Sequence, residues 1–280
     1  MVSADQRRDV SLPAGTIRYR EAGEGPAIVF VHGFLVDGRL WDGVVDGLSD
    51  RFRCIAPDWP MGAQQVAMTP DADLSPYGIA DLIASFLEAL DLSDVTIVGN
   101  DSGGAMSQVL ATRHPERIGR LVLTNCDTHE NFPPGMFKYV LPLAAIPGMV
   151  PAMAAPLRIG SFARAAYRPF AKTPIPAELI ESWVEPALTD RAVRHDMKKL
   201  LVGMHSRYTL EAAAKLRNSD LPLLLTWAPG DSYFPLQYAE RLAAEVPNAR
   251  IVQIPDARTF VPLDQPRRLA DEIAAFAQPT

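Results

Sequence analysis

The hydrophobic positions of this chain follow two rhythms. Short, mainly apolar runs recur at Ala27 to Val31, Phe52 to Pro57, Val95 to Val98, Leu121 to Asn125, Leu221 to Trp227 and Arg250 to Ile254. Each is too short for a helix and predicts a strand covered on both faces. Thr16 to Ala22 alternates instead, which predicts a half-buried strand. Between the runs lie amphipathic stretches that predict helices, at Leu40 to Leu48, Ser75 to Leu90, Ser102 to His114, Leu236 to Glu245 and Gln265 to Phe276. Ser75 is placed to cap the second of these, with Pro76 in its first turn. Strand and helix in alternation build a mostly parallel sheet with helices on both faces.

From about Pro133 to Leu216 the strand signal stops. Residues 137–157 are rich in Leu, Ala, Ile, Met and Val, but Pro142, Pro147, Pro151 and Pro156 interrupt them and Lys138 lies among them. A membrane span would need about 20 uninterrupted apolar residues. Short, proline-punctuated helices walling an apolar pocket fit better. The expected organisation is a core of residues 1–132 and 217–280 with a helical cap, or lid, at 133–216. Phe137, Leu141, Phe162, Tyr167, Phe170 and Trp183 are candidates for the pocket wall.

Ligands of such sheets collect at the carboxyl ends of the strands. Phe34, Asp101, Asp127, Asp231 and Thr259 each fall just beyond a predicted strand end and should converge. At Val95-Thr-Ile-Val-Gly-Asn-Asp-Ser-Gly-Gly104 a strand runs straight into a helix. A sharp strand-to-helix turn lifts one side chain clear of the sheet and crowds the residues beside it, as in the nucleophile elbow. With Asp101 at the tip, the crowded positions are Gly99, Gly103 and Gly104. With Ser102 there, Asn100 would be one of them, and its side chain would not fit. Asp101 therefore takes the tip, and the Ser102 backbone N–H can stabilise an anion. The competing account is an ordinary loop whose Asp caps a helix.

Composition narrows the function classes. The chain has 280 residues, 48% apolar, and a net charge of −6 with no basic cluster, which argues against nucleic acid. The polar start, Met-Val-Ser-Ala-Asp-Gln-Arg-Arg-Asp, does not predict a signal peptide. Cys54 and Cys126 lie in strand-like runs and read as buried free thiols of a cytoplasmic protein, since a metal site needs more ligands at closer spacing. No metal, cofactor, membrane or nucleic acid is expected. The partner is a small molecule, and a homodimer is compatible with the sequence.

Five motifs, in chain order, resemble the α/β-hydrolase family: His32-Gly33-Phe34, Asp58-Trp-Pro-Met-Gly62, Gly99-Asn-Asp-Ser-Gly-Gly104, Trp227-Ala-Pro-Gly-Asp231 and Val261-Pro-Leu-Asp-Gln-Pro266. The resemblance covers the chain outside the cap and implies the fold of that family, an eight-stranded, mostly parallel sheet with an inserted lid. An aspartate in the elbow looks most like the branch of epoxide hydrolases and haloalkane or haloacid dehalogenases. There a carboxylate attacks carbon to form an ester, which a histidine-activated water then breaks. Carried over, Asp101 is the nucleophile, the N–H groups of Phe34 and Ser102 form the anion hole, and Asp231 is the acid that orients the histidine. Thr259 occupies the histidine's seat. A threonine hydroxyl cannot hold a proton reversibly near neutral pH. The halide-binding Trp that usually follows the nucleophile is here Ser102, and Tyr139, Tyr167 and Tyr208 are the lid tyrosines available as acids.

His129, two residues past Asp127, is the candidate substitute base; its alternative is a lid-hinge residue packing on Phe132. His32 reads as a structural hydrogen-bonder and His114 as a surface residue. His195 and His205 lie in the lid. Asp127 is either an alternative acid or a cap for the chain entering the lid, and Asp264 is expected to cap the last helix. With Tyr167 and Trp183, Phe34, Ser102 and Asp127 are the expected substrate contacts. The sequence supports a hydrolase of a small, largely apolar molecule, cleaving an epoxide, carbon–halogen or ester bond with Asp101 as nucleophile or base. The alternatives are a non-catalytic binding protein on the same scaffold, and a lyase or isomerase in which Asp101 moves protons.

Overall fold

The computed structural model describes residues 7–278, so residues 1–6 of the polar N-terminal run lie outside the described residues. The strands are β1 (Arg7–Leu12), β2 (Gly15–Ala22), β3 (Ala27–Val31), β4 (Arg53–Pro57), β5 (Val95–Asp101), β6 (Ile118–Cys126), β7 (Leu223–Trp227) and β8 (Ala249–Gln253). They form one eight-stranded sheet in the order β1-β2-β4-β3-β5-β6-β7-β8. β2 pairs antiparallel with β1 and β4, and every other pairing is parallel. This is the α/β-hydrolase architecture. Only β1 escapes the apolar pattern. Its Arg7-Arg-Asp start is exposed and it pairs on one side only, and a charged edge strand of this kind resists pairing with other chains.

The central strands are mostly apolar because both faces are covered. Val29 and Val31 of β3, Ile97 of β5, Leu121 and Leu123 of β6, and Leu223 and Leu225 of β7 point into one layer. That layer is closed by α2 (Pro76–Ala89), through Ile79, Ile83 and Phe86, and by α3 (Ser102–Arg113), through Met106, Val109 and Leu110. The alternate residues Ile28, Phe30, Val98, Val122 and Leu224 point into the other layer. It is closed by α1 (Asp42–Leu48), the first helix in chain order, and by the C-terminal helix described below. Truncating one of these buried leucines to alanine costs about 2–5 kcal/mol. Ser75 caps α2, its Oγ accepting from the Gly78 N–H at 3.3 Å.

Between β6 and β7 come α4 (Phe137–Val140), α5 (Met149–Ala154), α6 (Gly160–Tyr167), α7 (Ala177–Thr189), α8 (Arg191–Gly203) and α9 (Arg207–Leu216), with 3-10 turns at Leu141–Ala145, Ala155–Arg158 and Arg168–Phe170. Pro142, Pro151 and Pro156 sit near the starts of such turns and helices, where a missing N–H breaks no bond. α9 returns to the sheet: Ala212, Ala213 and Leu216 join the layer that holds α3. Among the described residues no helix is long and apolar enough to cross a membrane. The chain ends through α10 (Leu236–Glu245), β8, a short α11 (Val261–Asp264) and α12 (Pro266–Ala277). Asp264 does not cap α12, whose N-cap is Gln265. Its carboxylate accepts instead from the N–H groups of Lys172, Thr173 and Arg258, which ties the lid to the loop after β8.

Candidate active site

The elbow is built as its glycines require. Asp101 ends β5 and is the N-cap of α3, at φ 55°, ψ −135°, a strained conformation that a non-glycine residue keeps only where its surroundings enforce it. A Cβ on Gly99 would come within 2.5 Å of Ser107 Oγ and 2.7 Å of Gly104 Cα. One on Gly103 would strike the carbonyls of Val31 and His32, and one on Gly104 would strike the Cys126 side chain. Strand, turn and helix thus touch backbone to backbone, and Asp101 is driven outward. Gly33 clears the space into which its carboxylate turns, since a Cβ there would lie 2.7 Å from Oδ2.

His32 serves this arrangement without joining the chemistry. Its Nε2 accepts from the Trp59 N–H and its Nδ1 donates to the Gly33 carbonyl, both at 2.8 Å. Burial pushes its pKa down to about 4, so the ring is a neutral strut. The Leu35 N–H donates to the Met61 carbonyl at 2.9 Å, so the His-Gly-Phe and Asp-Trp-Pro-Met-Gly motifs brace one another.

Two buried asparagines knit the strand ends together. Asn100 Nδ2 donates to the carbonyls of Thr124 at 2.9 Å and Thr259 at 2.7 Å. Asn125 Nδ2 donates to Asp231 Oδ2 at 2.9 Å, while its Oδ1 accepts from the Ala228 N–H at 2.7 Å. Asp231 also accepts from the Tyr233 N–H at 2.8 Å, the Phe234 N–H at 3.3 Å and the Thr259 hydroxyl at 2.8 Å. Thr259 therefore sits beside Asp231 with its one hydrogen-bond donor already engaged. Neither asparagine stood out in the sequence as a site residue. The available signal was an amide at the end of an otherwise apolar strand, where only a hydrogen-bonding task makes its burial tolerable.

Above the strand ends lies a cavity of about 210 Å³. Phe34, Asp101, Ser102 and Asp127 line its floor; Phe137, Leu141, Tyr167 and Phe170 line its lid side, with Phe234 and Phe260 between. Two candidates for the wall fall elsewhere. Phe162 is half exposed on the outside of the lid. Trp183 is fully buried behind Tyr167 and Phe260, its Nε1–H donating to Asp37 Oδ1 at 3.0 Å, so it is a support and not a substrate contact. His129 is likewise drawn away. Its Nε2 meets Glu245 Oε2 of α10 at 2.7 Å, its Nδ1 lies 3.1 Å from Thr128 Oγ1, and it does not line the cavity. His114 pairs with Asp81 near the surface, His205 accepts from the Arg207 N–H, and His195 lies along a separate open groove.

The polar groups at the floor are few and poised. Ser102 N–H donates to Asp101 Oδ1 at 2.6 Å, and Ser102 Oγ is buried with no hydrogen-bond partner. Burial pushes the Asp101 pKa from 3.8 to about 7; the Ser102 N–H opposes the rise and the charge of Asp231 adds to it. Burial, then the charge of Asp101, pushes Asp127 well above the usual carboxylate range. A carboxylate so placed can attack an electrophile, or exchange a proton near neutral pH. Among the described residues no three His, Cys, Asp or Glu side chains gather as a metal site. Cys54 and Cys126 are free and buried.

A family model described as alpha/beta hydrolase fold matches residues 26–266. Haloalkane dehalogenase 2 of Mycobacterium tuberculosis is 28% identical over 267 residues, spanning 92% of this chain and 90% of that protein. An uncharacterised protein of the same organism is 28% identical over 294 residues, spanning 98% of this chain and 84% of its own length. The crystal structure of haloalkane dehalogenase DbeA from Bradyrhizobium elkani superposes with a TM-score of 0.79 at 21% identity, covering 97% of each chain.

Proposed function

Because the chain belongs to the alpha/beta-hydrolase family, we propose that it is a hydrolase in which Asp101 attacks a small, largely apolar electrophile and carries it as an ester. Supporting this is one arrangement: a carboxylate on a strained elbow, facing an apolar cavity, with Oδ1 already held by the Ser102 N–H. That leaves Oδ2 to attack. The relatives named haloalkane dehalogenases make a carbon–halogen bond one candidate and the same carboxylate chemistry makes an epoxide another. The unpartnered Ser102 hydroxyl is placed to donate to a departing halide or oxyanion, where the resembling dehalogenases use Trp. No cofactor enters this chemistry.

A second reading has its own observation. Among the described residues no histidine lines the cavity, so the scaffold could bind a ligand without turning it over. Intact mass after incubation with epoxides, haloalkanes and activated esters decides between them. Enzyme and substrate are expected to give an adduct on Asp101, or product, with both lost in Asp101→Asn. Saturable binding with neither adduct nor product, unchanged in Asp101→Asn, would refute the enzyme.

A further inference from the structure

We propose that Asp127 is the proton-transfer group of this site and stands in for the histidine missing at Thr259. It would act as an acid while the ester on Asp101 forms and as a base while that ester is cleaved. The proposal rests on Asp101 being the nucleophile.

The geometry is specific. β6 runs beside β5 with Asp101 in register with Cys126, so the next residue steps onto the rim beside the nucleophile. The Asp127 N–H donates to the Asp101 carbonyl at 3.4 Å, and Gln108 Nε2 of α3 donates to the Asp127 carbonyl at 2.7 Å. The backbone is thus held from both sides. The side chain is 1% exposed, it lines the cavity, and its Oδ1 is buried without a hydrogen-bond partner. A residue that capped the chain entering the lid would accept a backbone N–H there. A buried carboxyl oxygen left unpaired over a cavity is costly, and it is available to whatever fills the space.

The other groups facing the site are committed or unsuited. The Thr259 hydroxyl donates its hydrogen bond to Asp231, and the Tyr167 hydroxyl on α6 donates to the Leu35 carbonyl at 2.5 Å. Burial raises the Tyr167 pKa further. Among the described residues no Lys, Arg or His lines the cavity. The charges that bear on the pair are their own and that of Asp231, on the loop after β7. Two adjacent buried carboxyls resist being ionised together. While Asp101 is the carboxylate, Asp127 holds a proton. Once Asp101 is an uncharged ester, that repulsion is gone and Asp127 can ionise.

With an epoxide the steps balance. Asp101 Oδ2 bonds to the ring carbon, the carbon–oxygen bond breaks, and its electron pair goes to the epoxide oxygen, which takes the proton of Asp127. The Asp127 carboxylate then takes one proton from water, whose oxygen adds to the ester carbonyl. The acyl carbon–oxygen bond breaks and the diol leaves with the second proton of that water. Asp101 is again charged and Asp127 again protonated. A halide leaves without needing a proton, so a haloalkane uses Asp127 in the second half only.

That difference supplies the test, using the full chain with n-butyl bromide and epoxybutane as probes. Asp127→Asn is expected to release bromide and form the Asp101 adduct at the natural rate, then to cleave the adduct more slowly by about 10²–10⁴-fold. With epoxybutane, adduct formation itself should slow. Asp127→Glu should restore part of both. Should Asp127→Asn not fold, the natural protein still answers: single turnover in water labelled with heavy oxygen must place that oxygen in the Asp101 carboxylate, with a cleavage rate that rises with pH through one ionisation. A pH-independent cleavage rate, or equal cleavage in Asp127→Asn, overturns the role of Asp127 alone. Neither adduct nor product from the natural protein overturns the Asp101 reading and this one with it.

Discussion

Replacing Asp101 by Asn should make the protein more stable in mild alkali, because the natural site holds a charge where burial disfavours one. The folded pKa of about 7 lies above the ordinary 3.8. Below about pH 4 the group is protonated in both folded and unfolded chains and stability is unaffected. Between there and about pH 7 the unfolded chain has lost the proton and the folded chain keeps it, so stability falls by about 1.4 kcal/mol per pH unit. Above about pH 7 the loss is complete, with an upper limit of about 4 kcal/mol. Water entering the half-buried site reduces this, so about 2–4 kcal/mol is expected. Asparagine keeps an acceptor for the Ser102 N–H, tolerates φ 55°, and carries no charge. Urea unfolding of both proteins across this range reads the effect directly: Asp101→Asn should exceed the natural protein at pH 8 and converge with it towards about pH 4. A variant equal to or weaker than the natural protein at every pH would show that Asp101 is not a desolvated carboxylate. On the proposed role of Asp101, adduct formation from a haloalkane should rise with pH through about 7 and then level off.

Two further substitutions bear on the proton relay. Thr259→His puts an imidazole where the Thr259 hydroxyl now donates to Asp231 at 2.8 Å. Placed in Asp127→Asn, it should restore adduct cleavage by about 10²–10⁴-fold in single-turnover mass measurements; a folded double variant with unchanged cleavage would mean that this seat does not face the ester. His129→Ala removes the buried partner of Glu245, which keeps Arg217 and Arg241. It should lower stability by about 1–2 kcal/mol and leave turnover unaltered, and lost turnover would place His129 in the chemistry after all.

Much of this molecule could be read from the sequence alone. Strand order, helix placement and the elbow register depend on neighbours in the chain. Apolar runs must be buried on both faces, and the glycines flanking Asp101 leave room for nothing larger. Seven of the eight strands and the tip at Asp101 follow from such local rules. The edge strand β1 did not, because its charges hide the pattern.

Pairings across the fold were decided only in three dimensions. His129 and Asp127 are two residues apart, yet one turns to Glu245 on α10 and the other to the cavity. Trp183 and Tyr167 are both aromatic lid residues, yet Asp37 draws the first behind the wall and Leu35 anchors the second within it. Asn100 and Asn125 look like strand residues until the strand ends meet and their amides find Thr259 and Asp231. The physical reason is common to all three cases. Apolar burial is additive and local enough to show as a pattern along the chain. A hydrogen bond needs one donor and one acceptor at one distance, and that condition is met only after the whole chain has folded.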